Sequence, residues 1–153
     1  MQRRIHPPPH THVHRLVRWQ RHWLYSTGTL LTLTGAAWLT IHYSIGAGAG
    51  QLPHPAEVWS MRLHGLAAFA GLFALGALAA AHIPQGWRLS KHSRWAGQRT
   101  TGCALCALGV MLVLSGYLLY YFAPEEVRPV LGWAHAVLGI AMGLAVLFHR
   151  RGV

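Results

Sequence analysis

The chain has 153 residues, 53% of them hydrophobic and only 10% charged, with three acidic residues against thirteen Lys and Arg and a formal net charge of +10. Soluble domains carry about a quarter charged residues, so this composition excludes an ordinary dissolved globule, and the length allows one domain. The basic excess does not fit nucleic acid: the arginines collect at the ends of apolar stretches instead of forming a patch interleaved with aromatics, and that distribution orients membrane proteins.

Residues 1 to 21 form an arm rich in Pro, His and Arg. It has too little apolar content to pack and is expected to be disordered. Its HPPPHTHVH run, with His6, His10, His12 and His14, is a short His-rich tract of the kind that holds Zn, Ni or Cu weakly. No carboxylate supports these histidines, so an arm without a bound ion is the expectation.

Four apolar stretches follow, from Trp23 to Tyr43, Val58 to Ile83, Thr101 to Phe122 and Val130 to Phe148. Each is near the ~20 residues a helix needs to cross the hydrocarbon core. The first is too long for a signal peptide and lacks a small-residue cleavage pattern behind it, so it stays as a span. Trp23, Trp59, Trp87, Trp95, Tyr120, Tyr121 and Trp133 mark span ends as an interfacial belt does. The 44 to 57 connection is rich in Gly and Pro and reads as an irregular outer loop. Pro84 is expected to end the second helix, leaving His82 in its final turn. The 84 to 100 connection is basic, and 123 to 129 is a short turn with Pro124 and Pro129.

The expected fold is an all-α integral membrane protein, a four-transmembrane-helix up-down bundle over residues 22 to 151. Arg3, Arg4, Arg15, Arg18, Arg21, Arg88, Lys91, Arg94, Arg99, Arg150 and Arg151 fall on one side, with only Arg62 and Arg128 on the other. Both termini are therefore expected in the cytoplasm.

Histidines inside these spans are costly and mark function. His135 and His149 are fourteen residues apart, close to four helical turns, which puts both imidazoles on nearly one face and roughly 21 Å apart along the axis. That spacing suits two stacked haem groups, one near each membrane surface. A low-spin haem takes one imidazole above and one below the ring, so its ligands come from facing helices at one depth. His64 and His135 lie at matching depths in the second and fourth spans and form the outer pair. At the inner level His149 is paired with His82, which is five whole turns from His64 but about four residues, or ~6 Å, deeper than His149 requires. His22, at the start of the first span, is the rival inner ligand. His42 lies about 200° around the helix from His22 and has a weaker claim.

Gly102, Gly109 and Gly116 on the third span and Gly28 and Gly35 on the first recur every seven residues. A stripe without side chains admits a flat macrocycle or another helix. The metal reading is therefore haem iron on His64, His135, His82 and His149, with haem b as cofactor in two copies.

The RHW of Arg21 to Trp23, the LHG of Leu63 to Gly65, the LSGYLLYY of Leu114 to Tyr121 and the WAH(13)H pattern ending at His149 resemble the bacterial diheme membrane cytochromes b. This four-helix group includes quinol-oxidising cytochromes of the b-561 type and the cytochrome b subunits of hydrogenases and formate dehydrogenases. The resemblance spans residues 21 to 151. It implies transmembrane electron transfer in a bacterial inner membrane, between the quinone pool and a periplasmic or membrane redox protein. In the b-561 type the inner haem is held from the first and fourth helices, which implies His22. In respiratory cytochrome b the second and fourth helices hold both haems, which implies His82.

Arg62, in the outer turn of the second span, could meet a haem propionate or simply snorkel to the interface. Cys103 and Cys106 spell C-x-x-C without a following His, so they are not a c-type haem attachment sequence and read as small hydrophobes. Tyr120, Tyr121 and His42 line the outer surface, where a quinone or partner cytochrome would dock. No nucleophile, carboxylate pair or phosphate loop suggests hydrolysis or group transfer, so the chain reads as an electron-transfer subunit and not as a stand-alone enzyme. The competing readings are a Zn, Cu or Ni transporter or sensor, and a haem-free assembly subunit of a larger membrane complex.

Overall fold

The computed structural model describes residues 17–89 and 96–151, and everything described outside the turns is helical. Helix α1 runs Arg18–Ile45, α2 Pro55–Ala80, α3 His82–Leu89, α4 Ala96–Tyr121 and α5 Arg128–Arg151, with a 3-10 turn at Ala47–Ala49. Three helical stretches are long and apolar enough to cross a membrane: Pro55–Arg88, Arg99–Tyr121 and Arg128–Arg150. Helix α1 has the length, at 28 residues, but not the same apolarity, because Arg18, Gln20, Arg21 and its hydroxyl residues dilute it. It also takes in Arg18 to Arg21, which the sequence assigns to the arm. The rest of that arm, to residue 16, and the basic residues Lys91 and Arg94 lie outside the described residues.

Packing is turned inside out relative to a soluble protein. Among the described residues the buried ones are small or hydroxylated, Gly46, Gly109, Ala67, Ala74, Ala123, Thr27, Thr34 and Ser115, and with them Glu57. Phe69 is 75% exposed, Ile140 65% and Phe148 64%. Lipid chains solvate such side chains as well as a core would, so helices associate through small residues that let backbones approach. On α1 the buried pair Thr27 and Thr34 is seven residues apart, and so is Ala67 and Ala74 on α2. This near-3.5-residue repeat keeps one seam between two helices. Helix α1 packs chiefly on α2 and α4 on α5, with a lighter contact between α1 and α5. Trp23 Nε1 ties the first pair by donating to the Ala70 carbonyl at 3.0 Å.

The threonines of α1 are tolerable in apolar surroundings because they bond their own helix. Thr27 donates to Trp23 O at 2.9 Å, Thr32 to Gly28 O at 2.9 Å and Thr34 to Leu30 O at 2.7 Å. Such back-bonding satisfies the hydroxyl where no water is present.

The second helix does not end at Pro84. It breaks three residues earlier, at Ala81 (φ −119°, ψ −60°), and His82 opens α3, which continues through Pro84 to Leu89. Pro84 has no N–H for the Ala80 carbonyl, and its ring crowds that oxygen, so the helix kinks one turn before the proline. His82 thus belongs to α3, and counting whole turns from His64 does not carry across the break.

Between its helical ends the 44–57 connection is irregular apart from its 3-10 turn, yet it is tied together by hydrogen bonds. Its centre is Glu57, in the first turn of α2. Oε1 accepts from Ala47 N at 3.2 Å and His54 N at 3.0 Å, while Oε2 faces His42 Nδ1 at 2.8 Å. His54 Nδ1 in turn accepts from Ala56 N at 3.2 Å, completing a reciprocal cap ahead of Pro55. A Cβ at Gly46 would collide with the Glu57 carboxylate and one at Gly48 with the His42 ring. Gly50 takes a left-handed φ of 77°, which favours glycine. At the other outer turn Arg128 Nη2 donates to Ala123 O at 3.0 Å. Glu57→Ala is expected to lower the thermal midpoint of the detergent-purified protein, since three donors lose their acceptor. Glu57→Gln, which keeps an acceptor for both backbone amides, should lower it less. Equal midpoints for the two variants would show that the carboxyl group holds nothing together.

Candidate functional site

The two expected outer ligands meet. His64 on α2 and His135 on α5 are half-buried, their ring centres 6.4 Å apart and their planes 70° from parallel. Each is held by a neighbouring helix. Thr34 Oγ1 on α1 lies 2.9 Å from His64 Nδ1, and Ser115 Oγ on α4 lies 2.7 Å from His135 Nδ1. At the other end of α5, Thr101 Oγ1 on α4 lies 2.8 Å from His149 Nδ1.

The separation has a chemical meaning. An imidazole nitrogen sits about 1.1 Å from its ring centre, given ring bonds of ~1.33 Å, and a bond from a first-row metal to imidazole is ~2.0 Å. Two imidazoles on opposite sides of one ion therefore have centres about 6.2 Å apart. The observed 6.4 Å fits that arrangement. Among the described residues no three His, Cys, Asp or Glu side chains converge on one point. What the chain offers is two imidazoles, the number a planar four-nitrogen macrocycle leaves open on its iron.

The glycines expected to admit a macrocycle or another helix meet different neighbours. A Cβ on Gly35 would stand 3.4 Å from His64 Cε1, and one on Gly116 would stand 3.4 Å from His135 Cε1. Gly102 faces His149 at 4.0 Å and Gly109 faces Met142 at 3.9 Å, while Gly28 has open space. Gly35, Gly116 and Gly102 thus border histidine rings. The sequence assigns no role to the hydroxyls of Thr34, Ser115 and Thr101, although each immediately precedes one of the spaced glycines. The spacing from Thr101 to Ser115, fourteen residues, repeats that of His135 to His149 on the facing helix, which was the available signal.

The remaining candidates separate. His82, half-buried, lies within electrostatic range of His149. His22 is exposed in the first turns of α1, one turn before Tyr25, whose ring lies 4.9 Å from the Arg150 guanidinium at the end of α5. His42 is engaged elsewhere: it pairs with Glu57 and stacks on Trp38 at 4.4 Å between ring centres. Its partner Glu57 has no site role assigned from the sequence. Arg62 is exposed and lies over Trp59, 5.1 Å from the ring centre. Beside His64 opens a groove of about 560 Å³, lined by Trp38, Pro53, Glu57, Val58, Met61, Arg62, Gly65 and Tyr120. Cys103 and Cys106 are exposed free thiols. The His-rich arm lies outside the described residues.

Gly35→Leu and Gly116→Leu drive side-chain atoms into the His64 and His135 rings, and overpacking of this kind costs about 1–3 kcal/mol. Gly65→Leu and Gly139→Leu meet open space and gain helix propensity of roughly 1 kcal/mol. The first pair is expected to melt lower than wild type and the second pair no lower, by thermal denaturation in detergent. Compared with protein-family models, curated proteins and solved structures, the chain matches none.

Proposed function

We propose that the chain is a b-type cytochrome of a bacterial inner membrane, carrying electrons between the quinone pool and a redox partner on or beyond the outer face. The observation that carries this reading is the pair of imidazoles whose ring centres lie 6.4 Å apart, close to a metal-bridging separation, each from a different helix. In this reading the molecule is a four-span up-down bundle with both termini in the cytoplasm. Its fourth span is α1, whose hydroxyls are satisfied within the helix.

His64 and His135 would hold the outer haem b. His149 would hold the inner one, with His82 or His22 opposite it. Proximity to His149 favours His82, whereas the helix break at Ala81 and the Tyr25–Arg150 contact favour His22. Haem iron supplies one-electron chemistry by changing between its ferric and ferrous states. The protein supplies axial nitrogens, a rigid spacing of roughly 21 Å between levels, and small residues that keep water out of the seam. Arg62, at the outer groove, is placed to neutralise a propionate.

The test is a reduced-minus-oxidised visible spectrum of the purified protein with haem quantification. About two b-type haems per chain are expected. His64→Ala or His135→Ala should remove one and leave the other, and His149→Ala should remove the second. Only one of His22→Ala and His82→Ala should reproduce the His149→Ala loss, and that one names the inner ligand. A colourless protein after expression with ample haem would overturn the reading and return metal-ion transport or a haem-free assembly role to the front.

A further inference from the structure

Three histidines of this protein are held by the same two-residue device, and at two of them, His64 and His135, its hydrogen bonds have a readable direction. A hydroxyl has one proton to donate. Thr34 Oγ1 lies 2.7 Å from Leu30 O and 3.2 Å from Leu31 O, and carbonyl oxygens only accept. The Thr34 proton is therefore spent on its own helix. Toward His64 Nδ1, at 2.9 Å, the oxygen accepts, and the Leu31 carbonyl, also in hydrogen-bonding reach of the ring, can only accept as well, so Nδ1 carries the hydrogen. Ser115 likewise stands between a carbonyl of its own helix, Leu112 O at 3.2 Å, and His135 Nδ1 at 2.7 Å, and we assign it the same direction. A neutral imidazole has one N–H. With it fixed on Nδ1, the lone pair is on Nε2 in both rings.

The residue after each hydroxyl completes the hold. Gly35 and Gly116 bring bare backbone against Cε1 of the same rings, where a Cβ would stand at 3.4 Å. One dipeptide thus binds one edge of the imidazole and packs on the next. Thr101 and Gly102 stand the same way toward His149. Thr27 and Gly28 form a fourth such dipeptide, with the hydroxyl likewise bonded to its own helix and the glycine facing open space.

We propose that Thr34 and Ser115 are positioning residues that lock His64 and His135 as Nδ1–H tautomers and present Nε2 to a metal centre, with Thr101 serving His149 in the same role. The proposal rests on the haem-ligation reading for the identity of that centre, but the tautomer itself does not. Partners of this kind fix ring orientation, and losing one typically weakens metal affinity about 10–100-fold.

The experiment uses the full chain in detergent, with Thr34→Val removing the hydroxyl at equal volume and Thr34→Ser restoring it. Nitrogen NMR of the imidazoles in haem-free protein reads the tautomers, and haem titration reads the outer site. Wild type should show His64 and His135 protonated on Nδ1. Thr34→Val should give His64 as a tautomer mixture and weaken outer haem binding about 10–100-fold, while the unchanged His135 signal reports that the bundle is folded. Thr34→Ser should restore both. A His64 tautomer indifferent to Thr34→Val overturns the positioning role, whatever the haem content. A wild type that binds no haem, with the tautomer still dependent on Thr34, sinks the haem reading and leaves the positioning role standing.

Discussion

Between helices as apolar as these, polar atoms have to be satisfied inside the protein, and this constraint shapes the described residues. An imidazole in such a place needs an acceptor for its N–H, and the acceptor must have no unmet demand of its own. A threonine or serine that has already bonded its own helix meets both requirements. Thr34 and Ser115 are nearly fully buried, and among the described residues no buried side-chain polar atom lacks a partner. A carboxylate could also accept from imidazole, but at this depth it would bring a charge that is costly to desolvate.

The same pairing organises the helices. The histidines stand on α2 and α5, and the residues that hold them stand on α1 and α4, so each helix of a pair depends on the other. Between α4 and α5 the facing positions advance in seven-residue steps: Gly116 with His135, Gly109 with Met142, Gly102 with His149. A repeat of seven keeps two helices in register along one seam. It also makes the fourteen-residue histidine spacing a property of the helix pair, with two dipeptides on one side matching two rings on the other.

The outer end follows a different logic. There Glu57 gathers two backbone amides and His42 around one carboxylate, and glycines at 46 and 48 leave room for it. Charge is affordable there because the interface is wet. The clamp ties the start of α2 to the end of α1 and borders the groove beside His64, so the surface a partner would meet is framed by ordered backbone.

Composition and hydropathy alone dictated helices that can enter a membrane, and the depth of His64 and His135 in their spans was enough to pair them, because depth along a helix is simple arithmetic. The helix break at Ala81 was not legible: a proline before a polar stretch looks like a terminus, and only the packed backbone shows the chain kinking and continuing. The hydroxyl acceptors were overlooked because a threonine in an apolar run reads as neutral filler, and its significance depends on which helix lies opposite. Glu57 escaped notice for the same reason, since its three donors are brought to it by the fold of the loop. Sequence determines which side chains sit at which depth. Tertiary structure decides which of them share a seam, because the rotation and pairing of helices are set by contacts between segments far apart in the chain.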